Sequence, residues 1–263
     1  MTDFPVSLMQ KTLHRSNGRN IIAIVSGLGG VGKTYIAVTM AGLLAQQGKK
    51  VLLFDGDLGL ANVDSHLMMT TQPDIESVLM TKIPMNKGIR HFEQGSFDVL
   101  AGRSNKYSLG TINKGTQQVL KDDLLLLSTH YDTVILDLNS GIQSVCDLFL
   151  RVAGTILVVC TDDPTALTDG FTLIKKIDQT ELAQRVQIVV NQAVSLKEGE
   201  RAYYTLAKAC NDFFKFEPPI CGIVRYDKVV SEFMEKRVPL FNICPNCDSV
   251  SDIKEMMQNI KNI

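Results

Sequence analysis

Gly27-Leu28-Gly29-Gly30-Val31-Gly32-Lys33-Thr34 is the stretch of this sequence whose residue types and spacing can do chemistry. A Gly, four free positions and Gly-Lys-Thr make the P-loop pattern. It stands where that pattern belongs, after the apolar run Ile21 to Val25 and before a helical pattern from Tyr35 to Gln47. Gly29, Gly30, Val31 and Gly32 are the candidate cradle, because a backbone without Cβ atoms can turn its N–H groups inward around a phosphate. The helix that follows points its positive end at the same place. Lys33 would supply a mobile cation for the outer phosphates, and the Thr34 hydroxyl a ligand for Mg²⁺. A glycine-rich turn kept for packing alone is the competing reading, and the strand, the helix and the Gly-Lys-Thr ending weigh against it.

Two further carboxylates stand at the ends of apolar runs. Lys50 to Asp55 reads as a second buried strand that runs into Gly56-Asp57-Leu58-Gly59-Leu60-Ala61-Asn62. An acid at the C-terminal end of a parallel strand faces the ligand crevice, so Asp57 is a candidate for work at the phosphates, and Asp55, nearer the strand, for a structural role. Tyr131 to Asp137 is a third such run, and its terminal Asp137 has the form of the Walker B acid that polarises a water on Mg²⁺.

These residues need a frame, and the rest of the chain supplies its pattern. Helical spacing covers 74–80, 115–129, 165–179 and 198–214; strands are expected over 97–100, 154–160, 185–191 and 220–224, a polar loop over 103–113, and two helices at the C-terminus. Strands alternating with helices predict an α/β fold, a mostly parallel sheet with helices on both faces. No linker or repeat divides it, so 20–263 reads as one domain, preceded by a polar arm, 1–19, whose local apolar residues are Leu8, Met9 and Leu13.

Bulk properties narrow the function. The 263 residues carry 45% hydrophobic and 21% charged side chains and a net charge of −1, which supports a large core and argues against a surface that tracks nucleic acid. No apolar run reaches membrane-span length and the N-terminus lacks a signal-peptide centre, so a cytoplasmic protein is expected. Of six cysteines, Cys146, Cys160, Cys210 and Cys221 fall in apolar elements and read as small hydrophobes. Only Cys244-Pro245-Asn246-Cys247 has redox or metal spacing, and it offers two of the four ligands a zinc site needs.

Taken together, the P-loop, Asp55 to Asp64, and Asp137-Leu138-Asn139-Ser140-Gly141-Ile142 resemble the MinD/ParA class of deviant P-loop ATPases, over about residues 20 to 254. Leu157 to Asp169, Val190 to Val194 with Glu198-Gly199, and Tyr226-Asp227 are similar to the FlhG/FleN group of flagellar-number regulators within it. The resemblance implies ATP as the nucleotide, a water oriented by Asp57, a metal site made by Thr34, Asp57 and Asp137, an adenine edge read by Asn191, and backbone around Arg225 lining the base. It implies regulation of flagellar number or placement through nucleotide-dependent contacts, with the flagellar signal-recognition-type GTPase or a flagellar transcription activator as partner, and recruitment to the pole or inner membrane by that partner. A partition-type ATPase that binds DNA nonspecifically, or a module that binds nucleotide without turnover, are the alternatives.

Three departures from the family pattern matter. Leu28 replaces a second loop lysine that in the ATP-bound dimer reaches the partner's phosphates, which predicts weak ATPase activity and a weak or absent ATP sandwich unless Arg103 or Arg151 substitutes. Arg225 replaces the usual proline. Ile253, Met256, Met257, Ile260 and Ile263 form one stripe that reads as a core-facing helix, so no autonomous membrane-targeting helix is expected.

Overall fold

Alternate side chains of β1 (Ile21–Ser26) enter two different cores. Ile21, Ala23 and Val25 join one, Ile22 and Ile24 the other, as the two-residue period of a strand requires. A strand that is apolar on both faces must lie inside a sheet covered twice. In the computed structural model, which describes residues 18–56, 84–102, 114–140, 144–230 and 244–260 together with Val63, Leu67 and Met69, β1 is the fifth of eight strands.

The order is β3-β4-β2-β5-β1-β6-β7-β8, with β2 at Val51–Asp55, β3 at Ile89–Phe92, β4 at Phe97–Leu100, β5 at Thr133–Ser140, β6 at Thr155–Cys160, β7 at Val186–Ala193 and β8 at Ile220–Arg225. Every neighbouring pair is parallel except β3 with β4. The expected α/β sheet with helices on both faces is therefore what forms. One face is covered by α1 (Lys33–Gln46) and by α6 (Asp248–Met257), which contact each other. The other carries α2 (Lys114–Ser128), α3 (Ser144–Val152), α4 (Pro164–Asp178) and α5 (Leu196–Phe214).

Helix α1 is buried continuously from Tyr35 to Leu44, which explains why its sequence is apolar on all sides rather than amphipathic. In α6, Val250, Ile253, Met256 and Met257 enter the same core, joined by Ile260 just beyond it. The expected core-facing stripe thus does pack inward, and Ile263 lies outside the described residues. Two elements were not expected from the pattern. Edge strand β3 pairs only with β4 and carries Arg90 and His91 among its four residues, too few apolar positions to show alternation. Helix α3 has nine residues rich in Val, Leu and Phe, a run too short to be told from a strand by periodicity. The helix expected at 74–80, the loop at 103–113 and all but residues 228–230 of the first C-terminal helix lie outside the described residues.

In this order β1 stands between β5 and β6, where the chain's crossovers change direction along the sheet. That is the switch point at which open α/β sheets bind ligands, outside the C-terminal ends of the strands.

Candidate functional site

The loop leaving β1 turns into α1 through Gly32, which has φ +91° and lies so near Asn191 that a Cβ would collide with its side-chain amide. At Gly30 a Cβ would meet nothing within 4 Å, so the loop is open on that side. No side chain caps α1, whereas Asp163 caps α4 through the Thr165 and Ala166 N–H groups, and Ser195 caps α5 through the Glu198 N–H. The residue before α1 is a glycine with no side chain to cap the helix, and such a start suits an anion.

Lys33 opens α1, and its ammonium bends back to donate to Ser26 Oγ at 2.8 Å; the Ser26 hydroxyl in turn donates to the Leu28 carbonyl at 2.6 Å. Thr34 Oγ1 donates to Asp137 Oδ2 at 2.6 Å, joining the helix start to the end of β5 across 103 residues of sequence. Asp137 is buried and pairs in register with Asp55, whose Oδ2 accepts the Val63 N–H at 3.1 Å. Asp55 thus holds backbone, in keeping with the structural role read for it. The Gly56 N–H donates to the Asp137 carbonyl at 2.8 Å, which ties the chain just before Asp57 to the same strand end; Asp57 itself lies outside the described residues.

A cleft of about 210 Å³ continues from this loop. Gly30, Gly32 and Tyr35 line one side, Asn191 and Gln192 the floor, and Arg225 to Asp227, Val230 and Ser249 the far wall. The Asn191 amide donates to the Val31 carbonyl at 2.7 Å, and Gln192 Nε2 to the Gly30 carbonyl at 3.3 Å. Asn191 therefore satisfies turn backbone and also lines the cleft. Gln192 holds φ +58°, a left-handed conformation uncommon for a residue with a side chain and a feature that clusters at ligand sites.

Arg225 borders the cleft, and its guanidinium is paired with acids of α6. Its backbone N–H and Nε both donate to Asp252 Oδ2 at 2.9 Å, Nη2 to Asp252 Oδ1 at 2.8 Å, and Nη1 lies 3.0 Å from Asp248 Oδ2. These carboxylates, Asp252 foremost, hold its pKa above the ordinary arginine value. The cation thus anchors α6 to β8. Tyr35 donates to Ser249 Oγ at 2.9 Å, and the Ser249 hydroxyl points to Asp227 Oδ2 at 3.5 Å. Burial raises the Tyr35 pKa well above the usual phenol range and keeps it the donor.

Of the expected site residues, Gly29, Gly30, Val31, Gly32, Lys33, Thr34, Asp137, Asn191 and Arg225 converge on one edge of the sheet. Arg151 does not. It ends α3 just before β6 begins, at the opposite edge, where it pairs with Asp147 at 3.0 Å and its carbonyl accepts from Arg185. Within the chain it stands away from the phosphate loop, and Arg103 lies outside the described residues. Tyr35, Gln192, Ser249 and Asp252 were missed; Tyr35 and Gln192 are neighbours of expected residues on α1 and β7, while the packing of α6 against α1 and β8 brings Ser249 to the cleft and Asp252 to Arg225.

A glycine loop leading from the central strand into a buried helix, with a strand-end acid on the helix's first hydroxyl, defines a P-loop nucleotide-binding fold. A family model described as an AAA domain matches residues 19–190, and the chain belongs to that family; within it, it is of the MinD/ParA type and close to the FlhG/FleN flagellar regulators. It is 28% identical over 240 residues to the antiactivator FleN of Pseudomonas aeruginosa, covering 91% of this chain and 85% of that one. It is 30% identical over 228 residues to the flagellum site-determining protein YlxH of Helicobacter pylori, covering 86% and 76%. Among solved structures, MinD in the MinC:MinD cell division complex of Aquifex aeolicus superposes with TM-score 0.75 at 22% identity, covering 93% of this chain and 96% of that one. MinD of Pyrococcus horikoshii complexed with Mg-ADP superposes with TM-score 0.73 at 19% identity, covering 92% and 96%.

Proposed function

We propose that this protein is an ATP-binding switch that acts in the cytoplasm on flagellar number or placement through nucleotide-dependent protein contacts. The observation that carries the nucleotide part is the 2.6 Å bond from Thr34 to Asp137 at the uncapped start of α1. It places a hydroxyl and a buried carboxylate where a hard cation finds oxygen ligands, beside amides and an ammonium that suit phosphates. Gly29 to Gly32 would hold the phosphates by backbone N–H groups, and Lys33 would leave Ser26 Oγ for the outer phosphates. Thr34 and Asp137 would hold Mg²⁺, which when bound neutralises phosphate charge. Asp57 is the candidate that orients the attacking water. Asn191 and the Arg225 to Asp227 backbone would receive the base. The flagellar part rests on the kinship with FleN and YlxH, and a partner of the flagellar GTPase or transcription-activator kind fits that role.

Titration calorimetry of the full chain with ATP and ADP, each with and without Mg²⁺, tests the first part; binding tightened by Mg²⁺ is expected, and no heat with either nucleotide ends the reading. Expression in a FleN-deficient Pseudomonas aeruginosa strain, scored by flagella per cell, tests the second. Unchanged flagellar number from a stably produced chain counts against it.

One observation favours a second reading, a module that binds nucleotide and turns it over poorly. The Leu28 side chain packs against the core on the α1 face and carries no cation to offer a partner's phosphates.

A further inference from the structure

Cys244 and Cys247 form a pair that the nucleotide site leaves unused. Their segment is a turn closed by the Cys247 N–H donating to the Cys244 carbonyl at 3.1 Å, with Pro245 in the second position that suits such turns. The first and fourth Cα atoms of a β-turn lie within about 7 Å, and a disulfide spans about 4.4–6.8 Å between Cα atoms. Cys244 is half-buried and Cys247 buried, so Cys244 is the more accessible of the two. The other described cysteines, Cys160, Cys210 and Cys221, are fully enclosed, and burial pushes their thiols up to about 12, 11 and 12.

The pair also touches the cleft wall. Cys247 is the residue from which α6 starts, and its sulfur lies 3.5 Å from Ser249 Oγ, the group that accepts from Tyr35 and points to Asp227. Zinc is a poor fit, since two thiolates are half of a structural set and, among the described residues, no three His, Cys, Asp or Glu are grouped to hold a metal.

We propose that Cys244 and Cys247 are a thiol–disulfide modification site through which a low-molecular-weight disulfide loosens the far wall of the cleft. The Cys244 thiolate attacks one sulfur of the reagent, breaking its S–S bond and expelling one thiolate. The Cys247 thiolate then attacks Cys244 Sγ of the mixed disulfide and expels the second. The protein loses two protons and two electrons, and the reagent, reduced, leaves as two thiols. Closing the bond turns Cys247 Sγ away from Ser249 and constrains the turn that sets the start of α6, so Ser249 can no longer hold Tyr35 and Asp227 as before. This consequence for nucleotide rests on the proposed function; the site itself does not.

The test equilibrates the full chain with reduced and oxidised glutathione in varied ratio, and reads peptide maps, backbone amide exchange and Mg-ATP titration. Expected are one intrachain bond between Cys244 and Cys247, faster exchange over Asp248 to Ser251, about fivefold weaker Mg-ATP binding from loss of one wall hydrogen bond, full reversal by dithiothreitol, and no response in Cys244→Ser. Absence of that bond in the folded chain overturns the proposal, and so does a bond that leaves exchange and affinity unchanged. If the reduced chain binds no nucleotide, the proposed function fails instead, and the bond and the exchange still decide this one.

Discussion

The two ends of the cleft are built differently. At the phosphate end, the residues from Gly27 to Thr34 are contiguous, and a few long-range bonds, Thr34 to Asp137 and the Asn191 and Gln192 amides to the Val31 and Gly30 carbonyls, complete them. At the base end, Tyr35, Asn191, Arg225 and Ser249 come from four elements spread over more than 200 residues, and each is held by a contact outside its own element: Tyr35 by Ser249, Asn191 by Val31, Arg225 by Asp252. A contiguous loop takes its shape from local backbone preference, while an assembled wall depends on how α6 docks. Damage at the first end should therefore abolish binding with little effect on folding, and damage at the second should weaken binding and stability together.

Lys33→Ala should break the comparison most visibly, with at least ~100-fold loss of ATP affinity for a half-buried cation at a loop–helix junction. Calorimetry and a urea melt on the same sample check it; retained affinity would remove the basis of the nucleotide reading. Asp137→Asn comes next. We expect about tenfold weaker binding, with the difference between titrations with and without Mg²⁺ abolished. At the base end, Asp252→Ala leaves the Arg225 guanidinium and its N–H without their shared acceptor and should cost about 1–3 kcal/mol of stability by urea melt, with a several-fold weaker affinity. A loss of affinity with unchanged stability would mean that the wall does not depend on the docking of α6.

Leu28→Lys sharpens the comparison by adding a cation to the phosphate end. Bringing two triphosphates together leaves costly unpaired charge unless cations arrive with them. The variant should therefore form more ATP-dependent dimer and release phosphate a few-fold faster than the native chain, by sizing and phosphate assay. A native chain that already dimerises tightly and turns over as fast would show that Leu28 is no handicap.

The smallest effect is on pH. Burial raises the Cys160 and Cys221 thiols from 9.0 to about 12, so between those values the folded chain keeps protons that the unfolded chain loses. Their contribution is whole below pH 9 and lost as pH climbs toward 12. Urea midpoints should fall above pH 9, and less steeply in Cys221→Ala; equal slopes would show that this thiol ionises alike in both states.

Much was legible without coordinates. Glycine conformation, the ending Gly-Lys-Thr and acids at the ends of apolar runs are local facts, so the loop, the parallel strands and the part of Asp137 could be read from order and spacing. Even the inward stripe of α6 follows from helical period, because apolar residues on one face must be covered. What the tertiary structure alone decided are relations between distant residues. Arg151 looked available for the phosphate site until chain direction put it at the other edge of the sheet. Arg225 was expected to bring backbone to the base, and nothing in its spacing announced that Asp252, from a helix that starts 23 residues later, would hold its guanidinium. No periodicity encodes such pairings. They are fixed when α6 buries Val250, Ile253 and Met256 against α1 and β8, and whichever polar groups share that interface are brought into contact.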